Sequence, residues 1–341
     1  MPKTFYIMDS FILPTGYNHM FMVQKIAKGF KYLGYYVKVA NRISDIKEPG
    51  FVMLSDHPIY YSFGSRHNAS GNILRLIPGI IQIADRKLKF IKKISTKLQC
   101  MAYGKLLKQV KGRGIVIIAW NFADERMDYI TKLGMPVIFT GDYYDTRPTS
   151  DYKARIYDMY KTRKDSLPLK FAADVWPEEV GQGCVNEKYK VSYVGDKTYG
   201  KEWMALFKND QACHIVPTPP YITEEQKVDI YKNSKIILGV TNAVCKKDGQ
   251  VPERIFEALA FGSICITDNP YAPKITDGAA IFVDEEDIGE LMKLVERFTT
   301  DEKARQEQRE KGFKFARKKG NWASRMKEFV VLSEKLYGIK H

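Results

Sequence analysis

Short apolar-rich runs alternate along the chain with longer segments whose apolar residues recur every three or four positions. This is the pattern of a parallel sheet covered by helices, an α/β fold. In the first half, residues 4–8, 36–40, 51–54, 115–120 and 137–140 read as strands. Residues 20–33 place Phe21, Val23, Ile26, Ala27, Phe30 and Leu33 at helical spacing and stop at Gly34, which makes a strand–helix–strand unit. The pattern weakens over residues 165–187, where Pro168, Pro177, Gly181 and Gly183 interrupt it, and a connection between domains is expected there. A second series follows, with strands at 191–194, 214–216, 236–240, 264–267 and 280–283 and helices near 199–207, 224–231, 252–261 and 288–299. Residues 301–338 read as helices that bury Phe313, Phe315, Trp322, Met326, Phe329 and Leu332.

Two domains are therefore expected, an N-terminal one over residues 1–168 and a C-terminal one over 188–319, with 320–341 as a terminal helix. The length of 341 residues allows each its own core, and 45% hydrophobic with 13% aromatic residues excludes a disordered chain. No apolar run is long enough to span a bilayer, and the chain enters its first strand without a secretory segment, so a soluble cytoplasmic protein is expected. Cys100, Cys184, Cys213, Cys245 and Cys265 are widely spaced and odd in number, which gives neither a disulfide framework nor metal-ligand spacing.

Charge changes the picture. Lys and Arg number 54 against 40 Asp and Glu, a net +14, and residues 86–113 hold ten Lys or Arg and no carboxylate. Apolar positions at helical spacing within that segment suggest an amphipathic helix with a basic face. Such a face suits a polyanionic partner, DNA in preference to an anionic membrane surface, while a solvated face with no partner is the alternative.

The most chemical segment is residues 251–268, a proline-started helix, a glycine stop and a buried strand. Pro252 suits a first helical turn, Gly262 a left-handed residue past the helix end, and Ile255, Phe256, Leu259 and Ala260 a buried stripe. Arg254 and Glu257, three apart, are expected on one side of the helix away from that stripe. Free N–H groups at the helix start and the Arg254 guanidinium would hold a pyrophosphate, and Glu257 would accept from ribose hydroxyls. An ordinary salt-bridged surface helix is the alternative.

Two Rossmann-like halves, the loop Gly16-Tyr17-Asn18-His19 after the first strand, and Arg254-Ile-Phe-Glu257-Ala-Leu-Ala-Phe-Gly262 together resemble the two-domain GT-B glycosyltransferases. That resemblance implies two Rossmann-like domains facing a cleft, the C-terminal one holding a sugar nucleotide, with the terminal helix crossing back to the first domain. Residues 137–148, Val-Ile-Phe-Thr-Gly-Asp-Tyr-Tyr-Asp-Thr-Arg-Pro, resemble a segment of the T-even phage DNA β-glucosyltransferases in which the aspartate is the catalytic base. One glycine is inserted before Asp142, and spore-maturation-type glycosyltransferases share the Glu-Ala-x-Ala-x-Gly element.

The resemblance implies a UDP-sugar donor, and Asp142 as base, with Asp145 or His19 as rivals. Gly195, Lys197 and Lys201, on the loop after the first strand of the second half, join Arg254 and Glu257 as nucleotide-sugar residues, and Gly16, Tyr17 and Arg147 are placed at the acceptor. The large retaining GT-B family carries a second glutamate where this chain has Gly249, which tilts the reading towards inversion. GT-B enzymes generally act without a catalytic metal, and neither a metal nor another cofactor is expected.

Overall fold

The computed structural model describes residues 3–8, 19–40, 45–55, 108–120, 125–132, 134–140, 147, 151–182, 187–196, 198–218 and 222–339. The chain divides into two compact units: Met1–Asp142, Asp158–Leu169 and Met326–His341 form the first, and Tyr143–Tyr157 with Lys170–Arg325 the second.

In the first unit, β1 (Thr4–Met8), β2 (Tyr36–Ala40), β3 (Gly50–Ser55), β4 (Ile115–Trp120) and β5 (Val137–Thr140) make one parallel sheet in the order β2-β1-β3-β4-β5. Helix α1 (His19–Tyr32) buries Val23, Ile26, Ala27 and Phe30, and Gly34 at φ 82 ends it as the spacing predicted. Leu33, expected in the same stripe, is only half-buried. The Phe30 ring stacks on Phe5 at 4.3 Å and lies 5.1 Å from Phe51, so one helix side chain joins two strands. Burial of each such ring contributes about 2–3 kcal/mol. Helix α2 (Glu125–Lys132) follows, and α3 (Asp151–Lys161) starts in residues of the second unit and ends in residues of the first. The outer edge of β5 is covered: Phe139 N–H donates to Asp165 O, Leu167 N–H donates to Phe139 O, and Val137 N–H donates to the Tyr337 hydroxyl, which donates back to Val137 O. An edge strand left bare would expose those donors and acceptors to foreign pairing.

The second unit repeats the topology. Its strands β6 (Tyr189–Asp196), β7 (Cys213–Thr218), β8 (Ser234–Leu238), β9 (Ile264–Thr267) and β10 (Ile281–Phe282) are parallel in the order β7-β6-β8-β9-β10. Both sheets thus run second, first, third, fourth, fifth strand, the doubly wound order whose direction of winding reverses between the first and third strands. The helices are α4 (Lys201–Phe207), α5 (Glu224–Lys232), α6 (Ala243–Asp248), α7 (Glu253–Ala260), α8 (Ala272–Ile275), α9 (Ile288–Thr300) and α10 (Glu302–Lys318). Helix α11 (Trp322–Tyr337) starts in residues of the second unit and ends in residues of the first. Phe313, Phe315, Trp322, Met326 and Phe329 are buried as expected, whereas Leu332 is half-buried.

The stretch expected as the connection between domains holds the Leu169/Lys170 boundary of the two units, and it is packed. Leu169, Ala172, Ala173 and Val180 are buried, Ala173 N–H donates to Gly320 O, and Gly181, at φ 84, lies against the Phe313 ring where a Cβ would come within 3.1 Å. At its far end Glu187 takes Arg305 on both carboxylate oxygens at 2.9 Å and Arg309 at 2.7 Å. Its proline and glycine content reflects irregular backbone, and Ala172, Ala173 and Val180 are core residues. Of the basic segment, only Lys108–Arg113 is described; Val110 is buried and Arg113 Nη1 donates to Ile46 O. No helix among the described residues is long and apolar enough to cross a membrane.

Candidate functional site

In a doubly wound sheet, ligands gather beyond the carboxyl ends of the strands where the winding reverses. In the second unit those ends are Gly195 and Asp196 on β6 and the residues after Leu238 on β8. Both loops are braced. Asp196 Oδ1 accepts from the Thr198 N–H and hydroxyl, and the Tyr193 hydroxyl donates to Asp196 O at 2.7 Å. Gly200 caps α4 at φ 62, and a Cβ there would lie 2.7 Å from both Val240 methyls. Gly200→Ala therefore combines a left-handed strain with a clash, and it is expected to cost about 2 kcal/mol in chemical denaturation.

Beyond β8, the Thr241 N–H donates to Asp268 Oδ1 at 2.7 Å, and Lys246 Nζ reaches Asp268 Oδ2 at 2.9 Å and Glu285 Oε2 at 2.6 Å. Burial pushes the Asp268 carboxyl up from its ordinary range, an effect that the Lys246 ammonium partly offsets. Asn242 caps α6, and Gly249 closes it at φ 71 with its N–H on Cys245 O and Lys246 O. The position where the retaining family has a glutamate is here a left-handed helix cap, a conformation that glycine adopts without a Cβ penalty.

Helix α7 starts one residue later than expected, because Pro252 has extended backbone (φ −71, ψ 153) and serves as the cap rather than as a first-turn residue. Ile255, Phe256, Leu259 and Ala260 are buried, and Gly262 adopts φ 91. Arg254 lies over the end of β6. A Cβ on Gly195 would run into Arg254 Nη1, and that nitrogen is buried without a hydrogen bond to any described residue. Tyr193, fully buried, faces the same guanidinium; burial raises the phenol pKa and the Arg254 charge opposes the rise. Cys265 is nearby, its thiol pushed up to about 12 by burial, so it supplies no negative charge.

Glu257 corrects an expectation. It is not on an open face beside Arg254 but buried, 2% exposed, with Oε1 3.0 Å from Lys227 Nζ. The reason is that α7 is covered on several sides. Gly312 of α10 packs on Leu259, Phe315 stacks on Phe256, and Lys227 of α5 reaches over from a helix fixed by the Thr223–Gln226 capping box. Lys227 also pairs with Glu224 at 2.7 Å. Burial alone would lower the Lys227 pKa, but attraction to Glu257 and Glu224 outweighs it and raises the value.

The structure brings Gly195 and Arg254 together, and Glu257 lies in the same helix behind them. Lys201, the first residue of α4, is exposed, as is Arg147. His19 begins α1, with its side chain outside the described residues, and Gly16, Tyr17, Asp142, Asp145 and Lys197 lie outside them altogether. Lys227, Asp268, Lys246 and Tyr193 were not singled out from the sequence. For Tyr193 a signal exists: strand alternation places it on the same face as Gly195, two residues on. Among the described residues no group of three or more His, Cys, Asp or Glu is arranged to hold a metal ion, and Cys213, Cys245 and Cys265 are free thiols.

The geometry has counterparts in known proteins. Residues 182–330 match the family model described as Glycosyl transferase-like. The α,α-trehalose-phosphate synthase (UDP-forming) of Burkholderia vietnamiensis superposes with a TM-score of 0.53 at 9% identity, over 98% of this chain and 100% of that one. A trehalose-6-phosphate structure from E. coli bound with UDP-2-fluoro glucose superposes at 0.54 with 11% identity, over 97% and 99% of the two chains. T4 phage BGT in complex with its UDP-glucose substrate gives 0.45 at 11% identity, over 98% and 100%. No curated protein matches the chain. The two like-wound parallel sheets and these superpositions give the chain the GT-B fold, and its second half is similar to the glycosyl transferase-like family.

Proposed function

We propose that the second unit binds a UDP-sugar and that the chain transfers its hexose, with inversion, to hydroxymethylated bases in DNA. The observation that carries the donor half is Arg254: a half-buried guanidinium at the head of α7, over the end of the β6 strand, with Nη1 seated against Gly195. A diphosphate there would meet a charge-assisted donor and the positive end of the helix. Synthases of the same fold that form UDP, or are bound with a UDP-sugar analogue, support the choice of nucleotide. Glu257 is proposed to accept from the ribose hydroxyls, three residues along α7 from Arg254.

The acceptor oxygen attacks the anomeric carbon, the bond from that carbon to the diphosphate oxygen breaks, the base takes the hydroxyl proton and UDP departs. Asp142 is the proposed base, with Asp145 and His19 as rivals; Lys197 and Lys201 are proposed beside the diphosphate, and Gly16, Tyr17 and Arg147 at the acceptor. Gly249 in place of a second glutamate supports inversion. No metal takes part in this proposal. Asp142→Asn is expected to lower transfer about a hundredfold, with UDP affinity near wild type. Full retained activity would move the role to His19 or Asp145.

The net charge of +14 and the basic segment at 86–113 support a polyanionic acceptor. A base inside a duplex must leave the stack to be modified. Nucleotide release from UDP-glucose, compared with hydroxymethylcytosine-containing duplex, unmodified duplex and no acceptor, tests this reading. Release only with the modified duplex is the expected result. The second reading, a membrane-associated glycan or lipid acceptor, rests on the same basic segment; sedimentation with anionic vesicles and indifference to duplex DNA at moderate salt would favour it.

A further inference from the structure

We propose that Tyr193 and Gly195 form a seat that holds Arg254 in place for the diphosphate, which makes Tyr193 a positioning residue for the leaving group. The proposal rests on the assignment of Arg254 to the diphosphate and says how that side chain is kept ready.

Residues two apart in a strand share a face, so Tyr193 and Gly195 of β6 present a phenol and a gap side by side. The gap is occupied. A Cβ on Gly195 would meet Arg254 Nη1, and would also stand 2.6 Å from the Tyr193 hydroxyl oxygen and 2.8 Å from its Cζ. The phenol itself is fixed: its ring is fully buried, and its hydroxyl donates to Asp196 O at 2.7 Å. With the proton committed to that carbonyl, the oxygen turns lone pairs towards the guanidinium, which the Arg254 influence on the phenol reflects.

What distinguishes this seat from an ordinary structural arginine is that its guanidinium is held without an ion pair. Glu187 takes up both Arg305 and Arg309, whereas among the described residues no carboxylate forms an ion pair with Arg254. The Tyr193 phenol, the Cys265 thiol and the Tyr231 phenol beside it are held protonated by burial, and the carboxylates that act on those groups include Asp268 and Glu257, which pair with Lys246 and Lys227. A guanidinium without an ion pair of its own needs none broken when the anion arrives.

Calorimetric titration with UDP and with uridine, on the wild type, Tyr193→Phe, Gly195→Ala and Arg254→Ala, tests the seat. Tyr193→Phe removes one hydroxyl, and Gly195→Ala puts a methyl where the guanidinium lies; each is expected to weaken UDP binding about tenfold, the worth of a hydrogen bond to a charged group. Uridine binding should stay unchanged in all three variants, because the seat acts on the diphosphate alone. Equal losses for UDP and uridine in the two seat variants would overturn the positioning role. Unchanged UDP binding in Tyr193→Phe and Gly195→Ala, with a loss in Arg254→Ala, would overturn the seat and leave the Arg254 assignment standing. Unchanged UDP binding in Arg254→Ala would overturn that assignment itself. Should Gly195→Ala fail to fold, because its methyl also stands against the fixed Tyr193 ring, Tyr193→Phe decides, since it removes a single oxygen.

Discussion

Arg254→Ala is expected to lower kcat/KM for sugar transfer by about two to three orders of magnitude, the usual effect of removing one preorganised donor from the site of developing charge. Negative charge builds on the diphosphate as the anomeric bond breaks, and a guanidinium already in place stabilises that charge without reorganising. Arg254 has the required features: a backbone position in the first turn of α7 and a half-buried guanidinium that forms no ion pair among the described residues. Part of the loss should appear as weaker UDP binding and the rest in kcat, because contacts to a leaving group strengthen in the transition state. Arg254→Lys should recover only a fraction, since an ammonium lacks the planar fork. Steady-state kinetics on the three proteins would check this, and an unchanged kcat/KM in Arg254→Ala would contradict it.

Glu187→Ala is expected to destabilise the second unit by about 3 kcal/mol in chemical denaturation, because it leaves two buried guanidiniums without their counter-ion. Arg305 and Arg309 have side chains only 6% and 7% exposed, and Glu187 at 21% is the carboxylate between them. Glu187 also sits at φ 38, a backbone region uncommon for a residue with a Cβ, held there by the bonds it makes. Burial alone would raise its pKa, but the hydrogen bonds and charges of Arg309 and Arg305 outweigh burial and lower it. A carboxylate with a lowered folded-state pKa contributes stability that is present above its unfolded value, about 4.3, and is lost as pH falls through the folded one. The difference between wild type and Glu187→Ala should therefore be largest near neutral pH and shrink below about pH 4. A difference that does not change with pH would contradict the ion-pair account.

Much of this fold was legible because buried parallel strands read as nearly continuous apolar runs. Residues 4–8, 36–40, 115–120, 137–140 and 264–267 have the same bounds in sequence pattern and structure. The glycine stops at Gly34 and Gly262 were legible for a similarly local reason, since each follows a helical stripe and takes a left-handed backbone. Glu257 was not legible. Its own helix pattern places it beside Arg254, but its environment is set by Lys227, thirty residues earlier, and by helix α10 lying across Leu259. The packing of the connection at 165–187 was not legible for the same cause: local proline and glycine content says nothing of Phe313 and Arg317, which pack on it from a helix far along the chain. Gly249 was noticed as a missing glutamate, and its own role as a helix cap emerged only with the backbone angles of α6.

If the second unit holds a nucleoside diphosphate with Arg254 on its phosphates, calorimetric titration of UDP into the wild type and Arg254→Ala will separate the two proteins. Saturable binding of a single UDP per chain is expected, displaced by UDP-glucose and weakened at least tenfold in the variant. No UDP binding by the wild type, or equal binding by both proteins, would contradict it.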